Sequence, residues 1–172
     1  MSLAIEAFSE NVRRFCQWSE SEQHDVETAR QLLLVLMQSI PYLAFIDDTT
    51  GDLPDYPRRG YEGWKMDHKN FSDFPIQYYR QVFAPCDLND APPVIGDAHD
   101  DLADIYGDLW HGLQALDCGD GKYAVNYWRE SYFQHWGHYA SAAIYEIDEY
   151  YRITHAERPW QSADSSGGRN NV

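Results

Sequence analysis

The chain has 172 residues, 44% hydrophobic and 15% aromatic, so it can bury one domain-sized core and is not an acidic disordered tail. Its 28 acidic residues against 13 basic ones give a formal net charge of −15. A field of that sign repels phosphate backbones and anionic lipid, which argues against nucleic-acid and membrane partners and leaves cations, neutral ligands and proteins.

The first predicted element runs over Leu3 to Trp18, where Ile5, Phe8, Val12 and Phe15 recur at spacings of three and four. A second helix is expected from Glu22 to Ile46, with Pro41 kinking it or ending it near Ser39. Its centre, Leu32 to Met37, is apolar all round, which predicts that this helix is the central one. From Asp47 to Asn70 the text changes to a long connection punctuated by Gly51, Pro54, Pro57, Gly60 and Gly63. Its basic residues Arg58, Arg59, Lys65 and Lys69 are interleaved with Tyr56, Tyr61 and Trp64.

A third helix is expected over Ser72 to Phe83, with Pro75 in its first turn, followed by a bridge held open by Pro85, Pro92 and Pro93. The fourth begins near Asp97 or Ala98 and reaches Leu116, with Leu102, Ile105, Tyr106, Leu109 and Leu113 on one face. Cys118 to Gly121 is a turn. The fifth helix is expected as one long rod over Tyr123 to Ile153, in which Gly137 permits close packing or marks a bend. After Pro159 the sequence is polar and Ser/Gly/Asn-rich, as in a disordered tail. The expected architecture is all-α: a single-domain bundle of about five helices over residues 1–158, a long aromatic-rich connection after the second helix, and a tail over 159–172.

Three cysteines, Cys16, Cys86 and Cys118, are too widely spaced for a zinc ribbon or a redox pair and are expected as free thiols. Glu6 and Glu10 interrupt the opening segment, and no run of eighteen apolar residues exists, so a cytoplasmic protein is expected.

Chemistry concentrates on two stretches. On the fourth helix Asp97, Asp101, Asp104 and Asp108 form a stripe; Asp101 and Asp108 border the core face, whereas Asp100 and Asp104 project nearly opposite it. Like charges at that spacing repel, which water, an arginine or a cation would offset. On the fifth helix His135 and His138 lie three apart. The short turn at Gly119 to Gly121 makes the two helices antiparallel neighbours and puts Asp101 and Asp104 level with these histidines. Two imidazoles and two carboxylates in one place suit a divalent metal ion in principle. No phosphate loop, nucleophile elbow or His-Glu-x-x-His motif is present, so no catalytic residue is assigned.

The segment Asp100-Asp101-Leu102-Ala103-Asp104-Ile105-Tyr106-Gly107-Asp108-Leu109, with Gly112-Leu113, Trp128 and His135-Trp136-Gly137-His138, resembles a bacterial family of small acidic helical proteins known only as a domain of unknown function. The resemblance spans about Phe8 to Tyr150; it implies an all-α fold and a bacterial cytosolic origin, and no activity. Asp100 to Ile105 also resembles the metal-binding helix of the MazG-like nucleotide pyrophosphohydrolases. Those enzymes hold magnesium with a second Glu-x-x-Glu, whereas this chain offers Glu20, Glu22 and Glu27 at other spacings.

The expected function is a non-catalytic ligand-binding or protein-interaction protein. Its polar site is lined by Trp64, His68, Asp101, Asp104, His135 and His138, and its partner is a protein or a small polar ligand. The alternative is a hydrolase that uses a divalent metal held by Asp101, Asp104, His135 and His138 to activate water.

Overall fold

The computed structural model describes residues 3–44, 55–82, 86–87, 89 and 92–155. The expected tail from residue 159 and the first part of the long connection, residues 47–54, lie outside the described residues. The fold is an all-helical bundle carrying one small ribbon. Helix α1 (Leu3–Ser19) buries Phe8, Val12 and Phe15, as its spacing predicts. Full burial of such side chains stabilises by about 1.5–3 kcal/mol each. No described helix is long and apolar enough to cross a membrane, and the three cysteines are free.

Helix α2 (Val26–Ser39) starts later than Glu22 because Asp25 caps it, its carboxylate accepting the Thr28 backbone N–H at 2.8 Å. It ends at Ser39, where a 3₁₀ turn containing Pro41 takes over. It is not the central helix. Leu34 is exposed and only Leu32, Leu33 and Leu36 of its apolar run are buried. The centre belongs to α4 (Ala98–Asp117), which packs on α1, on α3 (Tyr61–Asn70), and on the helices that follow it. An apolar run fixes burial only if neighbours exist on every side, and α2 lies at the bundle's edge against α1 and the last helix.

The helix expected over Ser72 to Phe83 does not form. A 3₁₀ turn at Phe71–Asp73 leads into β1 (Tyr78–Gln81), which pairs antiparallel with β2 (Val94–Asp97), Tyr79 opposite Gly96. Along β1 exposure alternates, with Tyr79 and Gln81 buried, the period of two that marks a strand. The ribbon delivers Asp97 as the N-cap of α4, its carboxylate accepting the His99 N–H at 3.0 Å.

The expected fifth helix is interrupted. Helix α5 (Gly121–Ser131) passes through a π-helical turn at Tyr132–Trp136 into α6 (Gly137–His155) without leaving helical conformation, so the described residues form five helical rods. At Gly137 an added Cβ would lie 2.4 Å from the Tyr132 carbonyl oxygen, so the wide turn closes only on a glycine. Helices α4 and α5 also approach closely: a Cβ on Gly112 would meet the Trp128 ring at 2.1 Å, and the Trp128 indole donates to the Leu109 carbonyl at 2.9 Å.

Candidate functional site

Helix α4 presents its acidic stripe to two elements, α3 and the π-helical turn, and a cleft of about 170 Å³ opens between them. Asp104 and Asp108 form its floor, Trp64 of α3 and Tyr127 of α5 stand in its sides, and His135 reaches in from the π-helical turn. π-Turns recur at functional positions because the extra residue redirects a side chain. Here it brings His135 to α4: Nδ1 donates to Asp108 Oδ2 at 2.8 Å, and Nε2 stands 3.9 Å from Asp104 Oδ2. The Tyr127 hydroxyl donates to the other Asp108 oxygen at 3.0 Å. The His135 ring also meets Tyr139 edge-on at 4.9 Å.

A basic wall comes from the segment preceding α3. Arg59 donates through Nε to Asp67 at 2.8 Å and lies over the rings of Trp110 and Tyr106 at 5.4 and 5.5 Å. Arg58 stacks on Tyr127, its guanidinium carbon 5.8 Å from the ring centre. Two bonds pin this segment to the bundle. Buried His111 donates from Nδ1 to the Pro57 carbonyl at 2.7 Å, which leaves Nε2 to accept from Tyr123 at 3.0 Å. The Tyr56 hydroxyl donates to Asp120 at 2.9 Å. Burial pushes the His111 pKa down and keeps that ring neutral.

The electrostatics follow from burial beside like charge. Burial, reinforced by Asp100 and opposed by His135 and by a hydrogen bond from the Trp64 indole, pushes Asp104 up to about 6. Burial likewise raises Asp100, with Asp97 adding to the effect. The hydrogen bond to Asp108 raises the pKa of His135. Asp104 therefore changes charge near neutrality while His135 holds its proton more firmly than a free imidazole.

The six side chains expected in one site are divided. Trp64, Asp104 and His135 line the cleft. His68 sits behind Trp64, its ring 5.4 Å from the indole and its Nε2 3.7 Å from Asp97. Asp101 is buried and accepts a hydrogen bond from the Tyr79 hydroxyl of the ribbon; burial pushes it up to about 7. His138 meets Gln81 at 2.8 Å and lines a separate, larger cleft of about 630 Å³ between the ribbon and α6. Asp104, expected nearly opposite the core, has only 23% of its side chain exposed because α3 and the π-turn cover that face. Among the described residues no three His, Cys, Asp or Glu side chains are arranged to hold a metal ion, so the geometry gives the hydrolase alternative no support.

Residues 74–151 match a family described as a domain of unknown function, DUF5063. That span takes in the ribbon, α4, α5 and the π-turn, and leaves out α1 to α3. A crystal structure of protein BF1032 from Bacteroides fragilis is similar to this chain with a TM-score of 0.72 at 16% identity, covering 87% of this chain and 92% of that one. At that identity the likeness shows the shared fold. No curated protein matches the chain.

Sequence reasoning does not place Asp108, Tyr127 or Arg58 in the site. Asp108 belongs to the stripe but lies a turn nearer the α4–α5 connection than the histidines suggest. Arg58 stands out in the sequence only as a basic residue among aromatics. Its position on Tyr127 depends on the Pro57–His111 bond, for which the sequence carries no local signal.

Proposed function

We propose that the chain is a non-catalytic binding protein that takes up a small polar ligand in the cleft between α3, α4 and the π-helical turn. One observation carries the reading: Asp104 is largely withdrawn from water, stands among other aspartates, and is met by the neutral Trp64 indole but by no cationic atom closer than 3.9 Å. A half-buried carboxylate held in that way gains from a charged donor that a ligand brings. The aromatic walls and the pinned basic segment support the same reading, because a site held in shape beforehand loses less entropy on binding. The chain's lack of a nucleophile motif or phosphate loop favours binding over turnover.

Thermal denaturation against a library of small polar compounds tests this. Saturable stabilisation is expected in the parent protein, about 2.7 kcal/mol at a hundredfold excess over Kd, and its loss in both Asp104→Asn and His135→Ala. Compounds that stabilise parent and variants equally would place the site elsewhere. Elemental analysis of protein purified without chelators is the second arm. Stoichiometric metal in the parent, lost in His135→Ala, would overturn the binding reading in favour of the hydrolase.

A further inference from the structure

Most of the charge in the cleft is already matched. Asp108 accepts from Tyr127 and His135, one on each oxygen. Arg59 is spent on Asp67. Two groups of opposite sign are left. Asp104 accepts a hydrogen bond from the neutral Trp64 indole but has no cation closer than 3.9 Å, so its charge stays unmatched. Arg58 has no carboxylate within ion-pairing distance among the described residues, and its guanidinium rests on the Tyr127 face. A guanidinium stacked in this way keeps its N–H edge available for a two-point contact with a carboxylate.

Taking the binding reading above as its basis, we propose that the ligand is a small zwitterion. Its ammonium group is held by Asp104, its carboxylate by Arg58, and its chain lies between the rings of Trp64 and Tyr127. Each simpler ligand meets opposition. A plain cation satisfies Asp104 but brings positive charge to Arg58 and to His135, which Asp108 holds toward its protonated form. A plain anion meets Asp100, Asp104 and Asp108 inside a protein of net charge −15. A zwitterion is neutral overall, so it enters without a long-range penalty and gains at both ends. The cleft volume of about 170 Å³ suits an amino-acid-sized molecule and not a nucleotide or a peptide.

The test is calorimetric titration of the full chain with glycine, β-alanine, γ-aminobutyrate and ε-aminocaproate. These molecules place the same two groups at increasing separation; butylamine and butyrate supply the halves. One length is expected to bind at least tenfold more tightly than either half. Arg58→Met should reduce that compound to the level of butylamine, and Asp104→Asn to the level of butyrate. Arg58 is exposed, so its replacement leaves the fold intact, and an unchanged melting midpoint verifies this. Butylamine binding as tightly as the amino acids, unaffected by Arg58→Met, would overturn the zwitterion while leaving the binding site standing. The zwitterion alone also falls if no amino acid binds but other polar compounds do so in an Asp104-dependent way. If no compound of any class binds, both the zwitterion and the binding reading fall.

Discussion

Asp101 and Asp104 lie three residues apart on α4 and have opposite fates. Asp101 is sealed under the ribbon, with the Tyr79 hydroxyl bonded to it and almost no exposure. Asp104 is covered only in part, by Trp64 and His135, and faces an open cleft. Burial raises both carboxyls, to about 7 and about 6, yet only one is reachable. A perturbed titration by itself therefore does not mark a site; the difference lies in what covers the group and whether a ligand could replace the cover. The ribbon makes Asp101 structural, and the π-turn makes Asp104 available.

The strongest way to break this contrast is Gly137→Ala. A methyl group there collides with the Tyr132 carbonyl and forces the π-turn to rearrange. Overpacking of this kind should lower stability by about 3 kcal/mol, measured by chemical denaturation, and should withdraw His135 from Asp108 without touching the Tyr79–Asp101 bond. Next in size is Tyr79→Phe, which leaves the buried Asp101 carboxylate without its donor. A loss of about 2 kcal/mol is expected at pH 8. The loss should shrink at pH 5, because the Tyr79 bond favours the charged form that protonation removes. A variant that costs the same at both pH values would show that Tyr79 acts through packing alone.

Asp101→Asn sharpens the same side of the comparison with the opposite sign. Because the folded pKa lies above the ordinary 3.8, the native state binds more protons than the unfolded chain between that value and about 7. Stability from this group is therefore full below pH 3.8 and is lost as pH rises through about 7. Replacing the acid by the amide should raise stability by about 1.5 kcal/mol at pH 8 and leave it unchanged near pH 4. Asp104→Asn should do the same more weakly, under about 1 kcal/mol, since solvent screens a group that is a quarter exposed.

The two halves of this contrast were not equally legible in the sequence. Helix α4 is plain from Leu102, Ile105, Tyr106, Leu109 and Leu113, and its start from Asp97, because a long amphipathic period and a capping residue reinforce each other. Counting from the Gly119–Gly121 turn also brings Asp104 level with His135. The ribbon that seals Asp101 has strands of four residues, too short for a periodic signal, and Pro75 suits the first turn of a helix as well as the approach to a strand. The π-turn is hidden for another reason. The apolar period continues across Tyr132 to Trp136, and only Gly137 hints at the widening. Arg58 and Tyr127 come together through tertiary bonds made by His111 and Asp120, which no local pattern encodes.

The smallest expected effect concerns the two neighbours of His135. Its raised pKa stems first from the hydrogen bond to Asp108 at 2.8 Å and only secondarily from Asp104 at 3.9 Å. Proton NMR titration of the imidazole should therefore show a pKa above the ordinary 6.5 in the parent protein. Asp108→Asn should return it most of the way, because it removes both the charge and the charged acceptor. Asp104→Asn should lower it only slightly. In stability, the His135–Asp108 pair contributes below pH 6.5 and fades as pH rises through the raised value, since the unfolded histidine has by then lost its proton. His135→Ala should accordingly cost under about 1 kcal/mol at pH 6 and less at pH 9, as befits a pair whose imidazole is nearly half exposed. If Asp104→Asn instead lowered the histidine pKa as far as Asp108→Asn, His135 would be bonded to Asp104 in solution. Asp104 would then be as fully occupied as Asp101, and the reason for expecting a ligand there would disappear.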